Sequence, residues 1–384
     1  MTSSRSEWIF VSAGEVSGDI HSAGLISEIN KLISGFKYIG IGGDNLRNEG
    51  VEILYHIKDI AFIGFIEIVK HIPFFKKILK DIENLISNNK PTAAILVDYP
   101  GFNLKLAELF KKYNVPVYYY ISPQVWAWGK RRVKKIKKFV DQMAVLFDFE
   151  EEFYRDHEIN TEFIGHPLVD KVKPEFTKER FFDKFPFDPG NKTIGILPGS
   201  RTQEVLKLLP PLLDGFDQLR SHFKELQAFV SVSPTVNTGI YESIISSKNI
   251  DNVIPVKGLL YDIMSYSDLL FVASGTATVE SAIAGTPMIV VYKIAPVTYI
   301  LSRLLVSVKN FGMVNIIAGK EIVPELLQNK VNAKNLSLLS EKMLSNQEYY
   351  KSIKNELKIV HQKLGEPGAS ARGAKTFVEK ILQT

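Results

Sequence analysis

Residues 269–292 constrain the fold of this chain more than any other stretch. Leu269-Leu-Phe-Val-Ala273 is a short, wholly apolar run of the kind that a strand buried on both faces requires. Pro287-Met-Ile-Val-Val-Tyr292 is another. Between them, Ser274-Gly-Thr-Ala-Thr-Val-Glu-Ser-Ala-Ile-Ala-Gly285 holds a turn at Gly275 and Thr276, a helix of small residues and a terminating glycine. Strand, turn, helix and strand make a parallel βαβ unit. Thr276 or Thr278 is placed to cap the helix. Backbone N–H groups at such a helix start, beside the carboxyl edge of a parallel sheet, suit a phosphate or diphosphate. Ser274, Gly275, Thr276, Ala277 and Thr278 are therefore candidate nucleotide contacts, with Glu280 a candidate for a ribose. An ordinary, well-capped αβ turn accounts for the same residues.

The same alternation runs through the chain twice. Strands are expected at 8–12, 38–41, 93–97, 117–121, 143–147 and 162–164, with helical stretches between them. Residues 171–191 carry three prolines, end in Asp188-Pro-Gly-Asn191 and read as a linker. A second series follows at 193–197, 228–232 and 252–254, and then the opening stretch. A chain of 384 residues suits two cores. The expected α/β architecture is two Rossmann-like doubly wound parallel-sheet domains, 1–170 and 192–345, facing a central cleft. Helices over 346–384 either stay with the second domain, cross back to the first or exchange in a dimer.

Composition removes several classes. There is no cysteine, which excludes disulfides and thiolate metal sites and is compatible with a reducing cytoplasm. Met1–Trp8 lacks the apolar core of a signal peptide, and no apolar run reaches the length of a membrane span. The formal net charge is +5, yet Lys130–Lys138 alone supplies +7, so the basicity is a patch. Its Val133, Ile136 and Val140 define one buried helix stripe, and the cations cover the rest. That describes either a solvated helix face or a surface for an anionic lipid or nucleic acid; without a nucleic-acid-binding motif, lipid ranks higher. Residues 62–79 are densely apolar. They form either two core helices interrupted at Pro73 or an exposed greasy face beside cations. Phe62, Phe65, Ile68, Phe75, Lys76 and Lys77 are the membrane-association candidates on the second reading.

Two residues stand where chemistry is expected. Asp98 ends a buried apolar strand, where partial burial raises the proton affinity of a carboxylate toward that of a general base. Its competing role is an Asx turn capping Tyr99-Pro-Gly101. Arg201, after the Gly199-Ser200 turn that ends the first strand of the second domain, is placed to neutralise a diphosphate, or else caps a surface helix. The histidines form no metal-ligand cluster, and no Asp-x-Asp pair offers to hold a divalent ion. Leaving-group charge is therefore expected to fall to Arg201, Ser200 and backbone donors, with no metal and no cofactor. Neither a Gly-x-Ser-x-Gly elbow nor a P-loop is present.

Seven motifs in order then carry a resemblance. They are Ala13-Gly-Glu-Val-Ser-Gly-Asp19-Ile-His21, Ser122-Pro-Gln-Val-Trp-Ala-Trp128, Phe163-Ile-Gly-His-Pro-Leu168 and Leu197-Pro-Gly-Ser-Arg201. Ala273-Ser-Gly-Thr-Ala-Thr278, Phe311-Gly-Met-Val-Asn315 and Val323-Pro-Glu-Leu-Leu-Gln328 follow. Over essentially its whole length the chain resembles the lipid-A-disaccharide synthases. The resemblance implies a glycosyltransferase fold of the B type and an inverting reaction. UDP-2,3-diacylglucosamine would give its sugar to the 6-hydroxyl of 2,3-diacylglucosamine 1-phosphate (lipid X), yielding UDP and a β-1,6-linked lipid A disaccharide 1-phosphate. It also implies a peripheral protein at the cytoplasmic face of an inner membrane, touching anionic phospholipid, and a homodimer.

Carried onto this sequence, Asp98 resembles the family's general base, Arg201 its diphosphate-binding arginine, Asn315 a further active-site residue and Glu280 a ribose-binding carboxylate. Gly14, Glu15, Ser17, Asp19, His21 and Gln328 are candidates for acceptor contacts. The Phe311-Gly-Met-Val run departs from the leucine-proline pair expected before Asn315. Two alternatives remain open at this point. One is a soluble UDP-N-acetylglucosamine 2-epimerase-like enzyme; the other is a non-catalytic nucleotide-sugar-binding membrane scaffold.

Overall fold

The computed structural model describes residues 7–60, 72–127, 129, 132–294 and 310–382. Phe62, Phe65 and Ile68, together with Lys130 and Arg131 of the basic run, lie outside the described residues. The chain divides into two compact units, one of Met1–Pro167 with Leu364–Thr384 and one of Leu168–Lys363.

Unit 1 holds β1 (Trp8–Ala13), β2 (Lys37–Gly42), β3 (Val51–His56), β4 (Ala93–Val97), β5 (Val117–Tyr120), β6 (Gln142–Val145) and β7 (Thr161–Phe163). Among the described residues they form one parallel sheet in the order β3-β2-β1-β4-β5-β6-β7. Unit 2 holds β8 (Thr193–Leu197), β9 (Gln227–Val232), β10 (Val253–Lys257), β11 (Leu269–Ala273), β12 (Met288–Tyr292) and β13 (Glu325–Leu327). Its parallel order is β10-β9-β8-β11-β12-β13. The central strands β4, β8 and β11 are buried at every position, as helices on both faces of a parallel sheet require. Each order reverses once, between β1 and β4 in unit 1 and between β8 and β11 in unit 2. At such a reversal the flanking helices leave on opposite faces and open a crevice at the strand carboxyl ends.

Two features differ from the sequence reading, and two choices that it left open are decided. The edge strands β3 and β13 were not anticipated. The first is half-exposed and meets a register shift in β2, and the second spans three residues, so neither leaves a buried apolar run. Residues 171–191 are no free linker. Phe181 and Phe182, in the helix Lys178–Phe182, are buried, with ring centroids 4.9 and 5.7 Å from that of Phe229 in β9. The Asp262 carboxylate also accepts the Glu175 and Phe176 N–H groups at 3.1 and 2.9 Å.

At the C-terminus the helices Ala333–Ser345 and Gln347–Lys363 stay in unit 2, and only the chain from Leu364 rejoins unit 1. There Arg372 Nε donates to the Ile164 carbonyl at 2.7 Å, and the Tyr118 hydroxyl donates to the Gly373 carbonyl at 3.0 Å. Phe75 is likewise a core residue rather than an exposed lipid contact. The helix Ile72–Asn88 buries Ile78, Ile82 and Ile86, and Phe75 packs beside them with its ring 5.4 Å from Phe102. Lys76 and Lys77 on the same helix are exposed. Among the described residues no helix is long and apolar enough to cross a membrane.

Candidate active site

The reversal in unit 1 places the end of β1 beside the end of β4, with Ala13 paired to Val97. Asp98 therefore emerges next to the Gly14 turn. Asp98 and Tyr99 both sit at φ +46°, a left-handed conformation that costs a non-glycine residue energy unless its surroundings impose it. They do. The Tyr119 hydroxyl donates to the Asp98 carbonyl at 2.6 Å, and Asn103 Nδ2 donates to the carbonyls of Asp98 and Val97 at 2.8 and 3.0 Å. Ser12 Oγ donates to Asn103 Oδ1 at 2.7 Å, which orients the amide. A Cβ on Gly14 would collide with the Tyr99 ring, so glycine lets the two turns close on each other.

The N-cap of the following helix, Pro100–Lys112, is Tyr99, with no side-chain cap bond. The backbone hydrogen bond that the Asp98 carboxylate receives comes from Tyr99. Burial first, and the negative charge of Glu15 second, push the Asp98 pKa up to about 6 against that hydrogen bond.

The acceptor candidates in the β1 loop separate into two kinds. Glu15 and Ser17 are exposed. Asp19 is buried and committed to structure. Its carboxylate accepts the N–H groups of Gly43, Asn45 and Leu46 at 2.6, 3.0 and 3.2 Å and the Asn45 side chain at 2.9 Å, which ties the β1 helix to the β2 loop. With four hydrogen bonds accepted, it has no capacity left for substrate. His21 is half-buried near His166, whose pKa burial lowers to about 3, with His21 a second cause, so His166 stays neutral. Val16 and Ile20, one turn apart on the helix Val16–Leu32, are 63% and 40% exposed, an apolar strip that the motif reading did not single out.

In unit 2 the reversal brings together the ends of β8 and β11. Gly199 sits at φ +111°, and a Cβ there would strike the Glu204 side chain. Glu204 Oε2 accepts the Ser200 and Arg201 N–H groups at 3.0 and 3.3 Å, while its Oε1 accepts from Arg201 at 3.2 Å. Arg201 is the N-cap of the helix Thr202–Arg220, and its side chain is 72% exposed, open to a ligand.

At the other strand end, Gly275 is the N-cap of the helix Thr276–Ala284 and no side chain caps the first turn. Neither Thr276 nor Thr278 forms the expected cap, because the Thr278 hydroxyl donates backwards to the Gly275 carbonyl at 2.8 Å. Glu280 is half-buried and accepts from the Tyr261 hydroxyl at 3.1 Å. Burial raises its proton affinity, and Tyr261 and Lys171 oppose that.

Asn315 has a different role from the one its motif implied. It is fully buried. Its Oδ1 accepts the N–H groups of Ile322 and Val323 at 2.8 and 3.1 Å, and its Nδ2 donates to the Val323 carbonyl and Glu325 at 2.9 and 2.8 Å. Both donors and both lone pairs are used, so nothing is left to touch substrate. Asn315 is a positioning residue. It holds Glu325, which accepts the Phe311 and Gly312 N–H groups at 2.8 and 2.9 Å, and the Phe311 carbonyl accepts from Ser274 Oγ at 2.9 Å. One network thus ties β13 to the turn after β11. Gln328, just past β13, sits at φ +52° with its Nε2 buried and without a hydrogen-bond partner among the described residues. Among those residues no group of three or more His, Asp or Glu side chains is placed to hold a metal ion.

A family model described as lipid-A-disaccharide synthetase matches residues 9–380. The chain belongs to the lipid-A-disaccharide synthase family. A lipid-A-disaccharide synthase of Geobacter sulfurreducens is 37% identical over 381 residues, 99% of each chain. One from Syntrophus aciditrophicus is 37% identical over 370 residues, covering 96% of this chain and 97% of that one. The chain is accordingly an enzyme, a glycosyltransferase of lipid A biosynthesis.

Among solved structures, a putative UDP-N-acetylglucosamine 2-epimerase from Listeria monocytogenes superposes with a TM-score of 0.66 at 11% identity, over 98% of this chain and 97% of that one. A glycosyltransferase from Rickettsia africae gives 0.60 at 12% identity, over 99% and 100%. At such identities the likeness shows the shared two-domain fold alone. The epimerase and scaffold alternatives are not favoured beside full-length relatives named for the synthase.

Proposed function

We propose that this synthase moves 2,3-diacylglucosamine from its UDP donor to the 6-hydroxyl of 2,3-diacylglucosamine 1-phosphate by a single inverting displacement with Asp98 as base. The observation that carries this is Asp98 itself: a carboxyl at a sheet reversal, locked in a strained backbone, with a pKa of about 6. Such a group is ionised at neutral pH and still basic enough to take a hydroxyl proton in the transition state. Arg201 and the backbone donors of Ser274–Thr278 meet the charge that grows on UDP, and Glu280 takes the ribose. Incubation of the purified protein with both lipid substrates, scored for UDP and disaccharide, tests the reading; UDP release without disaccharide contradicts it.

Arg201→Ala is expected to lower kcat/KM by about 100-fold, since it removes one charge-assisted donor from the leaving group. Steady-state rates across UDP-sugar concentrations check this, and an unchanged kcat/KM would remove Arg201 from the site. Turnover is also expected to be undiminished by a chelator, because protein donors carry the diphosphate charge. A strict requirement for Mg²⁺ contradicts that.

The acyl chains give the exposed Val16 and Ile20 a purpose beside Glu15, whose charge reaches Asp98. Peripheral association with the cytoplasmic face of an inner membrane belongs to the same proposal and is supported by the exposed Lys76 and Lys77. A homodimer, its last part, rests on the family resemblance alone.

A further inference from the structure

The described parts of two stretches that stood apart from αβ layering in the sequence, residues 72–79 and 132–138, contribute neighbouring helices to one groove. The groove has a volume of about 900 Å³ and lies in unit 1 between the helices Ile72–Asn88, Pro100–Lys112 and Val133–Phe139. The first helix supplies Lys76 and Lys80, the second Lys105, Lys111 and Lys112, the third Lys135 and Lys138. The acids of the lining itself are Glu83 and Glu108, and Asp141 stands beside it. Lys112 pairs with Glu83 at 2.6 Å, Lys135 with Glu108 at 3.5 Å and Lys111 with Asp141 at 2.5 Å. Lys76, Lys80, Lys105 and Lys138 have no ion-pair partner among the described residues, although Lys138 lies over the Phe139 ring at 5.2 Å.

Beneath this rim the lining is apolar: half-buried Leu79 and Leu109, and buried Phe139. Asp141, which holds Lys111, also accepts the Val117 N–H at 2.8 Å, so this end of the groove lies at the amino edge of the sheet. Asp98 lies at the opposite, carboxyl edge. At ~1.5 Å of rise per residue, Lys105 and Lys112 sit roughly 8–18 Å along their helix from the turn that carries Asp98. The groove is therefore separate from the candidate active site.

We propose that this groove docks unit 1 on a bilayer by taking the phosphate headgroup of an anionic phospholipid between its unpaired lysines, with glycerol and upper acyl carbons on the Leu79–Leu109 floor. The inference rests on the peripheral-membrane reading above and names where the surface contact is made. A free phosphate would use the rim and leave the floor in water. A single-stranded nucleic acid needs aromatic faces to stack its bases, and the one ring lining the groove, Phe139, is buried.

The test uses the full chain with sucrose-loaded vesicles of phosphatidylcholine, with and without phosphatidylglycerol. The wild type should bind only the anionic vesicles. The triple variant Lys80→Gln, Lys105→Gln, Lys138→Gln should lose about 100-fold in partitioning, given the contribution of each basic residue near such a surface. A control carrying Lys351→Gln, Lys354→Gln and Lys358→Gln, exposed on the helix Gln347–Lys363 of unit 2, should bind as the wild type does. Turnover of substrates dispersed in detergent micelles should be the same in all three, which shows that the groove variant folds. If the wild type binds and the groove variant binds equally well, the groove is overturned and the peripheral reading stands. If the wild type ignores anionic vesicles, both fall. Release of bound protein by millimolar inorganic phosphate at constant ionic strength would mark a free-phosphate site and overturn the lipid assignment.

Discussion

Asp98→Asn is expected to lower kcat by about three orders of magnitude, within the range a positioned general base contributes, and at the same time to make the protein more stable. The two effects have one origin. Burial lifts the Asp98 pKa from 3.8 to about 6, so the ionised form is held in a place that disfavours it. A carboxyl raised in this way contributes stability that is complete below its unfolded pKa and lost as pH rises through about 6. At pH near 8 the ionised group therefore costs on the order of 2–3 kcal/mol, which the neutral amide avoids. Asparagine also tolerates the left-handed backbone at this position. Thermal unfolding at that pH should shift upward by several degrees. A lower melting temperature together with retained turnover would make Asp98 a structural turn residue.

Asn315→Leu is expected to act in the opposite sense, costing stability first. Leucine is of similar size but breaks four hydrogen bonds, leaving the N–H groups of Ile322 and Val323, the Val323 carbonyl and the Glu325 carboxylate without this partner. Buried polar groups stranded in this way cost about 3–5 kcal/mol together. Urea unfolding of the full chain should show an earlier transition. UDP affinity should fall with it, because Glu325 then holds Phe311 and Gly312 less firmly and Phe311 anchors Ser274. Wild-type stability with kcat alone abolished would restore Asn315 to direct contact with substrate.

These two residues also mark how far the sequence could be read. Asn315 lies in a motif, whereas Asp98 lies in none and was legible because a carboxylate that ends an apolar strand must surface at a carboxyl edge. No spacing rule says whether an asparagine amide turns inward, and Asn315 does. Asp19 is the same case, a motif carboxylate consumed by three N–H groups and an amide from the next loop. Asn103, Tyr119 and Glu325 were not singled out because their work is done through hydrogen bonds between elements, which no local spacing pattern shows. The central strands were legible from their apolar runs, whereas β3 and β13, edge strands exposed on one side, carry no such run. In 171–191 the prolines outweighed a better signal: Phe176, Phe181, Phe182, Phe185 and Phe187 are too many aromatic rings for a solvated linker.

The pH dependence of kcat/KM tests the central claim most directly. With Asp98 as the base, kcat/KM should fall about tenfold per pH unit below its apparent pKa of about 6 and level off above it, and the residual activity of Asp98→Asn should lack that limb. A wild-type profile flat through this range, or the same limb persisting in Asp98→Asn, would contradict the account.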